Sequence, residues 1–374
     1  MTDSGDSFFV DYCFSAGSQS EAEDKASGIA VEQSAELPVE TVPRHLLDYV
    51  GTVEELQEQE EAGNRWKAKI FFKKEIVSGD TVQFLNVVFG NVSIKPGVQV
   101  TGLDPGFLST LFSGPNHGID GIRERLSAPK RPLSCTALKP IGSSSEELAR
   151  IATEFAGGGI DIIKDDHGLA NQSLADFKSR VQSCVPAIRD AENLSGKKTL
   201  YFPNITGTFR ELTERAEFAA QHGADGFLIS PQLTGLYSVS ELAAMFPDMP
   251  IMAHPAFSGP YTIHKHSGFA PSVYFGMLWR ALGADCVIYP NAGGRFSYHV
   301  DECNEINRMC RSNDLQMKRS FPVPAGGIDR NSLQKWMDEY GADTLFLIGG
   351  SLYKHPKGLT VAAREFQTKL SEYE

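Results

Sequence analysis

The sequence predicts an α/β protein, with an N-terminal α+β (ferredoxin-like) domain over residues 1–125 and a (β/α)8 TIM barrel over residues 126–374. Three observations predict it. The length of 374 residues exceeds the ~250 of a single barrel and leaves room for a smaller companion. From Pro132 onward, eight short apolar runs alternate with amphipathic stretches at intervals of roughly 25–35 residues. Every one of those runs ends in polar residues or glycine.

In chain order, a mobile tip precedes an edge strand near Phe8–Phe14, and Ser18–Gln33 reads as a helix with an acidic start at Glu21, Glu23 and Asp24. Lys67–Phe72 and Thr81–Val88 carry strand propensity, joined through the turn Ser78-Gly79-Asp80. The eight runs are Leu133–Leu138, Ile160–Ile163, Thr199–Phe202, Gly226–Ile229, Ile251–Ala253, Ala284–Tyr289, Phe321–Pro324 and Asp343–Ile348. They are apolar throughout rather than alternating, as strands buried on both faces of a parallel sheet must be. Helical patterns lie between them at Glu146–Phe155, Arg210–His222, Val273–Leu282 and Ser332–Tyr340. A doubly wound open sheet is the competing architecture; a count of eight favours closure into a barrel.

Composition narrows the function classes. With 41% hydrophobic and 22% charged residues the chain is globular, and a net charge of −12 argues against non-specific binding to nucleic acid or an anionic membrane. Six cysteines, Cys13, Cys135, Cys184, Cys286, Cys303 and Cys310, form no C-x-x-C pair and read as free thiols of a reducing compartment. No secretory signal or bilayer-length apolar run is visible, so the expected location is the cytoplasm.

Barrel chemistry sits at the C-terminal ends of strands. Those ends carry Lys139-Pro140, Lys164-Asp165-Asp166-His167, Asn204, Ser230-Pro231, His254-Pro255, Asn291 running into Gly293-Gly294-Arg295, Gly326-Gly327 and Gly349-Gly350. The last two pairs follow strands seven and eight, where barrels bind phosphate on backbone amides; glycine lets an anion approach those amides, although either pair alone also serves as a turn. Strand alternation points Lys164 and Asp166 the same way and Asp165 the opposite way. A carboxylate and an imidazole suit a divalent cation but an ammonium does not, so Lys164 is a base, a counter-ion or a modified residue; read alone, such a cluster is more often a solvated loop. Lys139 in an apolar mouth suits a base, and His254 an acid or base. His264 and His266 flank Lys265 in a loop that reads as solvated.

The run from Gly158 to His167 resembles the metal-site motif of the RuBisCO large-chain family, Gly-Gly-x-Asp-x-x-Lys-Asp-Asp-Glu. That resemblance implies Mg2+ held by a CO2-carbamylated Lys164, by Asp166 and, in place of the family's glutamate, by His167. Thr136–Pro140 resembles the segment bearing the enolising lysine, and Ala253-His254 matches a catalytic histidine. Phe112–Ile119 resembles the family's approach to the barrel. Val31–Ser34 and Phe89-Gly90-Asn91 resemble N-domain segments that reach a partner's active site, which implies a homodimer or higher homo-oligomer with Glu32 and Asn91 crossing between subunits. Departures weigh against carboxylation. Ile141 replaces the second lysine, Pro255 an arginine and Ala325 a serine, and the loop Asn291–Phe296 has no lysine. These are traits of the RuBisCO-like proteins, and the chain most resembles the branch that isomerises 5-methylthioribulose 1-phosphate. The implied substrate is a small phosphorylated sugar bound by Gly326, Gly327, Gly349 and Gly350 with Asn204 and Arg295. The implied reaction is Mg2+-dependent enolisation by Lys139 and His254. Alternatives are decarboxylation of a 3-oxo sugar-acid phosphate of the 3-oxo-isoapionate 4-phosphate type, a diketone-phosphate enolase, and an inactive binding barrel.

Overall fold

A computed structural model describes residues 5–59, 63–296 and 298–373. The predicted mobile tip thus lies largely outside the described residues. The chain forms two compact units. The first comprises Met1–Phe112 with Ser258–Met277 and Asp314–Gln316, and the second Ser113–Phe257, Leu278–Asn313 and Met317–Glu374.

Among the described residues, the first unit contains a five-stranded sheet. Its strands are β1 (Ser7–Ser15), β2 (Thr52–Gln59), β3 (Arg65–Lys73), β4 (Val98–Leu103) and the short β10 (Gly268–Phe269). Their order is β10-β4-β1-β3-β2, with β1 antiparallel to both neighbours and β10 parallel to β4. Two sequence expectations fail here. The strand at Phe8–Phe14 is central, not an edge: Phe8, Val10, Tyr12 and Phe14 are all buried, and a polar preceding segment concealed that. Thr81–Val88 is not a strand but most of the helix Thr81–Phe89. The Asp80 carboxylate accepts the N–H groups of Val82 (2.8 Å) and Gln83 (3.0 Å), satisfying orphan donors of the first turn. Phe84, Val87 and Val88 then bury one helical face, so packing at period 3.6 overrides β-propensity. The helix predicted at Ser18–Gln33 spans Gln19–Glu32 and is capped by Ser18.

The second unit is the barrel. All eight apolar runs are strands: β5 (Leu133–Leu138), β6 (Ile162–Asp165), β7 (Leu200–Phe202), β8 (Phe227–Ile229), β9 (Ile251–Ala253), β11 (Cys286–Pro290), β12 (Phe321–Ala325) and β13 (Leu345–Leu347). The order β7-β6-β5-β13-β12-β11-β9-β8 is parallel throughout, and the bridge Asn204↔Leu228 joins its two ends. Side chains from all eight strands fill the interior, among them Cys135, Ile162, Phe202, Leu228, Met252 and Ile288. Ile119, Ile122 and Leu126 of the helix Gly118–Leu126 join that core. The buried Asp285 accepts the N–H groups of His117 (2.8 Å), Gly118 (2.6 Å) and Ile251 (2.8 Å), stitching that helix to β9. With this end secured, the strands deliver their C-terminal residues to the other.

Candidate active site

Four of the residues singled out converge where β5, β6 and β9 end. The Lys139 Nζ lies 2.6 Å from Asp166 Oδ1, and His167 Nδ1 lies 3.4 Å from the same oxygen. The imidazoles of His167 and His254 stack with centroids 4.3 Å apart and planes 11° apart. Lys164 is buried, and its Nζ donates to the carbonyl of Asp165 at 3.0 Å. The alternation argued from strand geometry is visible: Asp165 turns the other way, to Arg180 on the helix Phe177–Ser195.

Each charge has a physical cause for its state. Burial pushes the Lys164 amine below its ordinary range, against the partial support of Cys135 and Asp166. Burial alone would raise Asp166; hydrogen bonds from His167 and Lys139 and the charge of Lys164 outweigh it and hold the carboxyl well below the usual range. Burial, with smaller contributions from the neighbouring Lys164 and His167, pushes His254 well below its ordinary 6.5. Neutral His254 has a defined tautomer, because Nδ1 accepts the Ala256 N–H at 3.1 Å and the proton therefore sits on Nε2.

The glycine pairs are neighbours, since β12 and β13 are adjacent. Gly327 has φ +68°, and a Cβ there would lie 2.7 Å from the carbonyl carbon of Gly293, so the loops after β11 and β12 touch backbone to backbone. A Cβ on Gly349 would lie 3.8 Å from Lys139 Cε, which brings the second pair against the base candidate. Arg295 is exposed, its guanidinium 5.8 Å from the Phe296 ring centre. His264 and His266 are exposed and belong to the first compact unit. In that unit the Asn91 side-chain amide donates to Glu32 at 3.2 Å, so the two residues matched to intersubunit roles are bonded together.

Asn204 lies just past β7, the strand end where it was predicted. Its side-chain N–H2 donates to the carbonyls of His167 and Leu169, both at 3.0 Å, so it braces the loop that carries His167. Sequence reasoning missed the support beneath it. Asp165 pairs with Arg180 (2.9 Å) with neither side chain exposed, and also accepts from the Tyr201 hydroxyl (2.8 Å) and the Asn204 N–H (2.9 Å). Asp165 facing away from Lys164 was the only signal that a buried partner had to exist. Tyr353 was also missed; its hydroxyl bonds the backbone of Lys139.

No three His, Cys, Asp or Glu side chains among the described residues form a ready-made metal cage. The cluster supplies one carboxylate, one exposed imidazole and a buried lysine whose amine burial biases towards neutrality. A neutral amine is the form that adds CO2, and a carbamate formed there would be an oxygen donor. The donor set therefore fits Mg2+ once Lys164 is carbamylated.

Known proteins resemble this chain in sequence and in fold. Residues 118–370 match the ribulose bisphosphate carboxylase large chain, catalytic domain. A 5-methylthioribulose-1-phosphate isomerase from Rhodospirillum rubrum is 37% identical, over 92% of this chain and 91% of its own length. A 2,3-diketo-5-methylthiopentyl-1-phosphate enolase from Geobacillus kaustophilus is 33% identical, over 93% of this chain and 87% of its own. The crystal structure of a Rubisco-like protein from Rhodopseudomonas palustris superposes with a TM-score of 0.88 at 32% identity, over 98% of both chains. Solved neighbours include octameric and dimeric Rubiscos. Members of this family normally use Mg2+. The fold, the residues gathered at its mouth and these matches together show that the chain belongs to the RuBisCO large-chain family, among its RuBisCO-like proteins.

Proposed function

We propose that this protein enolises a monophosphorylated ketose and isomerises it, the substrate being 5-methylthioribulose 1-phosphate or a close analogue, and that it does not fix CO2. The observation that carries the reading is the convergence of Lys139 on Asp166 at 2.6 Å, beside the stacked His167 and His254. Asp166, carbamylated Lys164 and His167 would hold Mg2+, which when bound acidifies the C–H next to the substrate carbonyl. Lys139, released from its ion pair, takes that proton as a neutral amine. Neutral His254 presents its Nε2–H to the enediolate oxygen, a donor aimed where charge develops. Lys139, now an ammonium, returns the proton at the former carbonyl carbon, while His254 gives its Nε2 proton to the oxygen there and recovers one from the neighbouring hydroxyl, so the product is an isomer and no atom is lost or gained. Backbone amides of Gly326, Gly327, Gly349 and Gly350 take the single phosphate, with Arg295 closing over the substrate. Pro255, Ala325, Ile141 and a loop after β11 without lysine leave neither a second phosphate site nor a grip on a carboxylated product.

The octameric and dimeric Rubiscos among the solved neighbours support a homodimer or higher homo-oligomer, in which Glu32 and Asn91, bonded to each other within one subunit, would reach the partner's site. The free thiols, five of them buried, suit a reducing cytoplasm. Among the described residues no helix is long and apolar enough to cross a membrane. A second reading, enolisation of a diketone phosphate, draws on the 33% identical enolase and shares the first proton transfer. Incubating the enzyme with Mg2+, bicarbonate and each phosphate in turn, followed by product NMR, separates them. A ketose isomer from 5-methylthioribulose 1-phosphate is the expected outcome; turnover of the diketone alone would replace this reading with the second.

A further inference from the structure

The backbone of Lys139 is held by a side chain that completes an interrupted β-ladder. In a parallel ladder, alternate residues present both backbone groups to the same neighbouring strand. On β5 the odd-numbered residues face β13: the Leu133 N–H donates to Thr344 O at 3.0 Å, and Cys135 O accepts from the Ile348 N–H at 2.9 Å. Ala137 and Lys139 face the same way, but β13 stops at Leu347 and the chain turns through Gly349 into the short helix Gly350–Tyr353. No strand is left to pair with them. The Tyr353 hydroxyl takes over both roles, accepting the Lys139 N–H at 2.9 Å and donating to Ala137 O at 2.9 Å. Its ring is fixed edge-on by Phe155, with centroids 5.5 Å apart and planes at 78°.

The same turn bears Gly349 and Gly350, and Gly349 already sits against the Lys139 side chain. One hydroxyl thus ties the strand end that carries the base to the segment that carries half of the phosphate cradle. We propose that Tyr353 is a positioning residue for Lys139, setting the distance between the bound phosphate and the amine that removes the proton. This rests on Lys139 being the base. Lys139 without this clip still carries its amine, but on a strand end free to shift. A shift of about 1 Å at a reacting group costs on the order of a hundredfold in rate.

The test is Tyr353→Phe, which keeps the ring and its contact with Phe155 and deletes only the hydroxyl. The expected result is a fall in kcat of about tenfold to a hundredfold, with KM for the phosphoketose changed less than about threefold. The primary deuterium isotope effect on kcat should rise, because proton transfer becomes more fully rate-limiting. A variant that merely folds poorly loses active molecules but keeps the isotope effect, so this ratio separates positioning from structural damage. Phe155→Leu, which loosens the ring and keeps the hydroxyl, should move both readouts in the same direction by less. The proposal is overturned if Tyr353→Phe keeps kcat and isotope effect unchanged while Lys139→Ala abolishes substrate proton exchange. Were Lys139→Ala itself to retain exchange, the base assignment would fail, and the positioning role with it.

Discussion

Replacing Arg180 by methionine should cost more stability than any change on the surface of this barrel. The guanidinium meets Asp165 at 2.9 Å with neither side chain exposed, and it also donates to the carbonyls of Ala175 (2.6 Å) and Ala170 (2.9 Å). Methionine fills much of the volume but leaves the Asp165 carboxylate buried without a counter-charge. Removing one partner of a fully buried pair costs about 3–5 kcal/mol, and full burial leaves no solvent screening to discount it. At about 2 °C per kcal/mol for a body of this size, the melting temperature should fall by about 6–10 °C. Differential scanning calorimetry on Arg180→Met measures it directly. Adding Asp165→Asn removes the stranded charge; its side-chain oxygen can accept the Asn204 N–H while its N–H2 donates to the Tyr201 hydroxyl oxygen, so the double variant should regain about 1–3 kcal/mol. A single variant that costs less than about 1 kcal/mol, or a double variant no better than the single, would refute the claim that this pair carries the loop after β6.

Three further outcomes are expected. Gly327→Ala should destabilise the protein by about 1–3 kcal/mol and raise KM for the phosphoketose, since φ is +68° and the new Cβ meets Gly293 at 2.7 Å; unchanged unfolding and KM would remove the backbone contact from the account. His254 has a folded pKa well below the 6.5 of the unfolded chain, so its contribution is whole above about pH 6.5 and erodes as pH falls towards the folded value, by at most about 1.4 kcal/mol per pH unit. His254→Asn should flatten that acid slope in melting temperature, and an identical slope in the variant would contradict the burial argument. Activation should require CO2 as well as Mg2+, with a 13CO2-derived carbamate signal absent from Lys164→Arg; full metal-dependent activity in that variant would exclude Lys164 as a ligand precursor.

How much of this was legible in the sequence follows from which interactions are local. The barrel was legible because strands buried on both faces must be apolar throughout, and all eight runs proved to be strands. Residues at the strand ends were legible because strand direction alone sends Lys139, Asp166, His167 and His254 to one mouth. Thr81–Val88 misled because its β-branched and aromatic content is local, whereas the Asp80 cap and the buried face that decide the helix are not read from propensity. The support of the site was not legible. Arg180 lies in the first turn of its helix with nothing nearby in sequence to mark it as a partner of Asp165, and Tyr353 meets Lys139 only when β13 closes against β5. Asn204 was identified as polar at a strand end, but which polar groups it would satisfy depended on the path of the loop after β6.

Lys139 is the group proposed to remove a proton from a ketose phosphate at the mouth of this barrel. Proton NMR of 5-methylthioribulose 1-phosphate with enzyme, Mg2+ and bicarbonate in deuterium oxide tests that role most directly. The expected result is loss of the C–H signal next to the carbonyl at a rate at least equal to turnover, and a fall of about a hundredfold to ten-thousandfold in Lys139→Ala. Exchange and isomer formation undiminished in that variant would contradict it.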